Sequence, residues 1–190
     1  MKLTVTPTPL DGVLLIDTAY VQDARGFFLE SYHQRDYAAA GLTNTFVQDN
    51  HSRSEQGVLR GLHYQDLTAP LDKLVRCTLG AIFDVAVDLR VGSPTFGRWT
   101  AIELSQENKR QIYIPVGFAH GFQALSESAE VQYKQTGFYH HEAEGTIAWN
   151  DPDLAIAWPL GEPTLSARDQ RGASLRDYAA RPVFHYGPTG

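Results

Sequence analysis

Arg60-Gly61-Leu62-His63-Tyr64-Gln65 places an arginine and a histidine three residues apart in a short stretch that is otherwise mostly apolar. An arginine can clamp an anion and a histidine can move a proton near neutral pH, so the pair suits acid–base chemistry on an anionic substrate. In a regular strand, however, side chains three apart point to opposite faces. One of the two is then a bystander, or Arg60 reaches over the strand end, or the strand is irregular. Gly61 is the residue that would permit a bulge to realign the pair, and a bulge is expected there. The next stretch, KLVRCTLG, repeats the problem with Lys73 and Arg76, of which at most one should share the first face.

Other candidates are scattered. His120 follows a Pro-x-Gly-x-x-His turn in IPVGFAHGF, similar to the second metal motif of cupins. The usual first motif needs His-x-His, but here the sequence reads His63-Tyr64-Gln65, which leaves too few ligands. A metal-free cupin-like barrel is therefore expected. Asp84 shares a strand face with Ile82, Ala86 and Asp88 in AIFDVAVDL, and that face lines either a wet cavity or ordinary solvent. Tyr133 and Tyr139 could donate a proton or stack on a base, although strand tyrosines are more often core residues. Asp169 in SARDQ could orient a histidine if the C-terminal segment folds back over the barrel. His140 and His141, beside Glu142 and Glu144, read as a solvated polar loop.

The elements that must hold these residues are mostly strands. The chain has 190 residues, 43% of them apolar and 20% charged, with sixteen Gly, ten Pro, nine Tyr and nine Phe. That turn-rich composition favours β structure in one unit spanning 1–190. GVLLID, GFFLESY, NTFVQDN, GVLRGLHYQ, KLVRCTLG, AIFDVAVDL, GRWTAIELS, RQIYIP, HGFQALS and AEVQYKQT all read as strands. Helix is expected only at 34–42 and near 166–171, where Ser166 could cap. An all-β, cupin-like jelly-roll barrel with a few short peripheral helices follows, the segment from about 160 to 190 packing over it.

Several function classes are excluded. A net charge of −6 argues against a non-specific nucleic-acid binder. Every apolar run is too short to span a membrane, and the opening MKLTVTPTPLDG lacks a signal-peptide core, so a cytoplasmic protein is expected. Cys77 is the single cysteine, which suits a reducing compartment. No Gly-rich loop opens a helix and no Gly-x-Ser-x-Gly elbow is present, removing Rossmann dehydrogenases and α/β hydrolases.

Across most of its length the chain resembles the dTDP-4-dehydrorhamnose 3,5-epimerase family. The stretches that carry the resemblance are DARGFFLESY, QDNHSRS, GVLRGLHYQ, KLVRCTLGAIFDVAVDLRVGSPTFGRW, IPVGFAHGF, YKQTGFY, WNDPDLAIAWP and LSARD, in the family's order. The resemblance implies a jelly-roll homodimer without metal or organic cofactor, acting on dTDP-4-keto-6-deoxy-D-glucose in deoxysugar biosynthesis. It makes His63 the base, Asp169 its orienting partner, Tyr133 the proton donor and Lys73 the group that stabilises an enolate oxygen. Arg60 and Arg25 would hold the diphosphate. Glu30, Gln48 and Asn50 would help bind the nucleotide, Tyr139 would stack on thymine, and Arg168 would lie nearby. His120 with Asp84 would form a second polar pair at the pocket. Leu71 and Asp72 depart from the family's usual glutamine two residues before the lysine, which bears on whether C3, C5 or both are inverted. A metal-dependent cupin and a non-catalytic sugar-nucleotide binder are the rival readings.

Overall fold

In the computed structural model, which describes residues 2–187, the chain is an all-β jelly roll. Met1 and residues 188–190, the end of the segment expected to fold back, lie outside the described residues. In chain order the strands begin with β1 (Leu3–Pro7), β2 (Leu14–Thr18), β3 (Tyr20–Asp23), β4 (Gly26–Leu29), β5 (Gln48–Glu55), β6 (Leu59–Gln65) and β7 (Lys73–Leu79). They continue with β8 (Ala81–Asp88), β9 (Trp99–Ser105), β10 (Gln111–Ile114), β11 (Phe118–Ala124), β12 (Ser128–Gln135) and β13 (Glu144–Thr146). Two sheets face each other, one ordered β1-β2-β10-β7-β12-β5 and the other β13-β6-β11-β8-β9, with every strand pair antiparallel.

Alternation along the strands explains what fills the space between the sheets. On β5, Gln48, Asn50 and Ser52 are half-buried while Asp49, His51 and Arg53 are exposed, a two-residue period over polar side chains. On β7 the inward residues Val75 and Cys77 join Ile82, Ala86, Leu104, Ile112, Phe118, Phe122 and Val131 in an apolar core. That core closes one end of the barrel, and the polar residues of β5, β6 and β12 leave the other end as a cavity of about 560 Å³. Each fully buried Ile, Leu or Val contributes roughly 1.5–3 kcal/mol, so the closed end is the rigid base on which the open end is built.

Both outer faces are covered at their centres. Over the second sheet, Ile147, Leu154, Leu175, Tyr178 and Phe184 from the C-terminal segment bury Leu62, Val85, Val87 and Leu89. This segment includes α2 (Leu175–Ala180), which the sequence reading did not anticipate and which Ser174 caps by accepting from the Asp177 amide. Over the first sheet, Tyr37 of α1 (Gln34–Ala39) packs with Leu42, Phe46, Ile16, Leu74 and Tyr113. The helix expected near 166–171 is a single 3-10 turn, Asp169–Arg171.

One piece stands apart. β3 and β4 pair only with each other, and Val21, Phe27 and Phe28 are each about 60% exposed or more. The strand expected over 26–32 stops at Leu29, while the one expected over 44–50 begins only at Gln48 and continues to Glu55. β12 decides the second boundary, because it supplies partners from Gln48 through Glu55.

Candidate active site

The irregularity expected at Gly61 is present. On β11, His120 pairs with His63 and Phe122 with Arg60, so two steps along β11 correspond to three along β6. This is a bulge, and it shifts Arg60 onto the face of His63, so both line the cavity while Leu62 is fully buried under the C-terminal segment. Gly61 has φ +121, and a Cβ there would stand 2.6 Å from the Gly121 Cα and 2.7 Å from the His120 carbonyl oxygen. No side chain fits at that contact. Arg60 is steadied from β5, its Nε donating to the Ser54 Oγ at 2.9 Å and its Nη2 to the Arg53 carbonyl at 3.0 Å.

His63 meets the C-terminal segment. Its Nε2 lies 2.5 Å from the Asp169 Oδ1, and the Ser166 hydroxyl donates to the Asp169 Oδ2 at 2.8 Å. Asp169, only 3% exposed, acts as an acceptor and so favours the proton on Nε2, with Nδ1, 3.4 Å from the Arg168 Nη2, as the lone-pair nitrogen. Burial holds His63 below the usual histidine range; the Asp169 hydrogen bond and charge oppose this, and Lys73 and Arg168 add to it. The net shift favours the neutral imidazole, the state a base requires. Burial pushes the Asp169 carboxyl up, but the hydrogen bond and charge of His63, with help from Ser166 and Arg168, leave it below its ordinary value.

Lys73 enters the cavity from the start of β7, and burial lowers its ammonium to about 8, against the opposing pull of Glu144 and Asp84. Arg76 points to the other face, as alternation requires, and donates to the Gln132 Oε1. Tyr133 lines the cavity from β12; burial and the charge of Glu144 raise its phenol, which keeps it protonated. Imidazole, phenol and ammonium thus converge from three strands on one space.

The second polar pair exists. The His120 Nε2 and the Asp84 Oδ2 are 2.9 Å apart, both residues are buried, and His120 lines the cavity. Asp88, on the same face of β8, instead binds Arg90, Ser93 and Thr95 at the strand's end, which is a structural role. His63 and His120 are cross-strand partners, each engaged with its own aspartate, and among the described residues no three His, Cys, Asp or Glu side chains are grouped as a metal would need.

At the mouth, the Gln48 Nε2 donates to the Asn50 Oδ1 at 3.0 Å and the Gln48 Oε1 accepts from the Tyr139 amide, so the three residues form one rim. Arg168 also lies at this rim, its Nη2 2.9 Å from the His63 Nε2. Two expected residues are elsewhere. Arg25 sits at the β3–β4 turn in an exposed pair with Asp23, and neither it nor Glu30 lines the cavity of this chain.

Glu144 is a cavity residue that the sequence reading passed over as part of a polar loop. β13 pairs with β6, placing Glu144 opposite Gln65, and its Oε2 accepts from the Tyr139 hydroxyl at 2.9 Å and from Arg168. Nothing local separates it from the exposed Glu142 two residues before it, and His140 and His141 are exposed as expected.

A cupin-type barrel with a histidine held towards its neutral form, a phenol held protonated and a half-buried ammonium around one cavity fits the class of acid–base isomerases. Comparison with known proteins narrows this. The family model for dTDP-4-dehydrorhamnose 3,5-epimerase matches residues 7–177. The dTDP-4-dehydrorhamnose 3,5-epimerase of Pseudomonas aeruginosa is 56% identical over 93% of this chain and 97% of its own length. A dTDP-4-dehydrorhamnose 3-epimerase of Streptomyces niveus is 40% identical over 96% of this chain and 90% of its own. Among solved structures, the dTDP-6-deoxy-D-glucose-3,5-epimerase of Legionella pneumophila, in complex with dTDP-4-keto-L-rhamnose, superposes with a TM-score of 0.93 at 47% identity. That match covers 98% of this chain and 100% of the other. This chain belongs to the dTDP-4-dehydrorhamnose 3,5-epimerase family and is an isomerase of the sugar-nucleotide epimerase type.

Proposed function

We propose that this enzyme inverts C3 and C5 of dTDP-4-keto-6-deoxy-D-glucose, with His63 as base and Tyr133 as acid. The carrying observation is the His63 Nε2–Asp169 Oδ1 contact of 2.5 Å inside a cavity that Lys73 and Tyr133 also line. The C4 ketone acidifies the protons on both neighbouring carbons. The Nδ1 of His63 takes one such proton, the electron pair of the C–H bond moves into the enolate, and the Lys73 ammonium stabilises the charge on the C4 oxygen. The Tyr133 phenol then returns a proton to the opposite face of the carbon, inverting it. Arg60 and Arg168 supply cations for the diphosphate, Gln48, Asn50 and Glu144 shape the nucleotide end, and Tyr139 stacks on thymine.

Incubation in deuterium oxide tests the reaction carbon by carbon. Deuterium at both C3 and C5 is expected, and an enzyme that exchanges neither is no epimerase. Exchange at C3 alone would make it a 3-epimerase like the Streptomyces niveus relative.

The working form is a homodimer in the cytoplasm, on this reading. The β3–β4 ribbon exposes Tyr20, Val21, Phe27 and Phe28 and carries Arg25, with Glu30 just beyond it, so a second copy gives these residues a nucleotide to bind. Phe28→Asp should shift the sedimentation-equilibrium mass from two chains to one and raise KM; an unchanged dimer would count against this face.

A further inference from the structure

We propose that Ser166 is a positioning residue for the reaction, acting through Asp169 to hold His63 in its Nε2–H tautomer. The proposal rests on the reading of His63 as the base. The two oxygens of Asp169 have separate tasks: Oδ1 faces the imidazole, and Oδ2 accepts from the Ser166 hydroxyl at 2.8 Å. The same hydroxyl oxygen accepts from the Asp169 amide at 3.1 Å, and the Gln170 amide donates to the Ser166 carbonyl at 3.2 Å, so Ser166 and Asp169 close a compact ring at the start of the 3-10 turn. Among the described residues no other side chain donates to Oδ2; the Arg168 Nε stands 3.9 Å from Oδ1. A carboxylate bound through one oxygen can still rotate about its last bond, and a donor on the second oxygen fixes its plane.

The ring is also tied to the strand it serves. The Leu59 amide donates to the Thr164 carbonyl at 3.0 Å, and the Thr164 amide to the Gly57 carbonyl at 3.0 Å. Thr164 lies two residues before Ser166, and Leu59 four before His63, so a short closed circuit sets the distance between base and carboxylate. Without the hydroxyl, the Oδ2 of the buried Asp169 loses its side-chain donor, and the carboxylate is free to turn towards Arg168.

Steady-state kinetics and the nitrogen-15 spectrum of the His63 imidazole, measured on the full chain as wild type, Ser166→Ala, Ser166→Thr and His63→Ala, test this. Ser166→Ala should lower kcat about tenfold with KM within about twofold, as loss of an orienting partner does. It should also move the acid limb of the pH–rate profile to higher pH, because an Asp169 without the hydroxyl donor is more basic and holds the imidazolium more tightly. Its imidazole spectrum should change from one tautomer to a mixture, and Ser166→Thr, which keeps the hydroxyl, should restore all three. A purely structural turn-former would lower thermal stability and leave the tautomer and pH limb in place, which overturns the proposal. His63→Ala separates the two levels. If it abolishes exchange while Ser166→Ala behaves as wild type, only the role of Ser166 falls; if it retains exchange, the base assignment falls and this proposal with it.

Discussion

β6 and β7 each carry a pair of basic side chains three residues apart, Arg60 with His63 on one and Lys73 with Arg76 on the other, and the two strands treat their pairs differently. Along β7 the register is regular from Lys73 opposite Gln135 to Arg76 opposite Gln132, so Lys73 enters the cavity and Arg76 faces outward. Along β6 the extra residue at Gly61 and Leu62 reverses the alternation, and both members reach the cavity. The composition of the two stretches is similar. What separates them is a glycine on β6 that meets a second glycine, Gly121, on β11 at a distance closed to any side chain. A strand can thus present two groups to one ligand by spending a backbone irregularity, and the regular neighbour shows the outcome without one.

The comparison can be broken from either side. Removing the proposed base on the bulged strand has the largest expected effect: His63→Ala should lower kcat by about 10³-fold or more, read as lost deuterium exchange at C3 and C5. On the regular strand, Lys73→Met should cost on the order of 10²–10³-fold in kcat, and it carries a pH signature. In the wild type the rate should fall on the acid side as His63 takes a proton, below its ordinary 6.5, and on the alkaline side near pH 8 as Lys73 loses one. Lys73→Met should abolish that alkaline limb and, because the lysine charge helps hold His63 low, move the acid limb to higher pH.

Gly61→Ala attacks the irregularity itself. The new methyl group has no room against Gly121 and His120, so urea denaturation should report a loss of about 3 kcal/mol. The rate kcat/KM should drop roughly a hundredfold as Arg60 and His63 separate. The two arginines give the finest contrast. Arg60→Ala should raise KM about tenfold with kcat little changed, whereas Arg76→Ala, on the outer face of the regular strand, should change either constant by less than about twofold. Equal effects from the two arginines would mean that the bulge is irrelevant to ligand binding.

Much of this site was legible residue by residue. The two-residue period marked most strands, and the His63, Lys73, Tyr133 and Asp169 set could be named because its local motifs are specific. Glu144 was not legible, since a carboxylate in a polar loop has no local mark until β13 pairs with β6 and turns it inward. Alternation placed Asp84 on a strand face, but only the family resemblance paired it with His120, which is 36 residues away and joins it through the pairing of β8 with β11. Arg25 and Glu30 were read as ligand contacts from their motif, yet the chain's own fold leaves them outside the cavity.

By itself the sequence determined the chemical inventory and the places where the backbone could depart from regularity: one histidine beside a cation, and a glycine between them. The tertiary structure decided which groups meet. Alternation is a local property, fixed by strand geometry and readable from order alone. Convergence depends on register between strands far apart in the chain, and on the C-terminal segment that carries Ser166 and Asp169 back to His63.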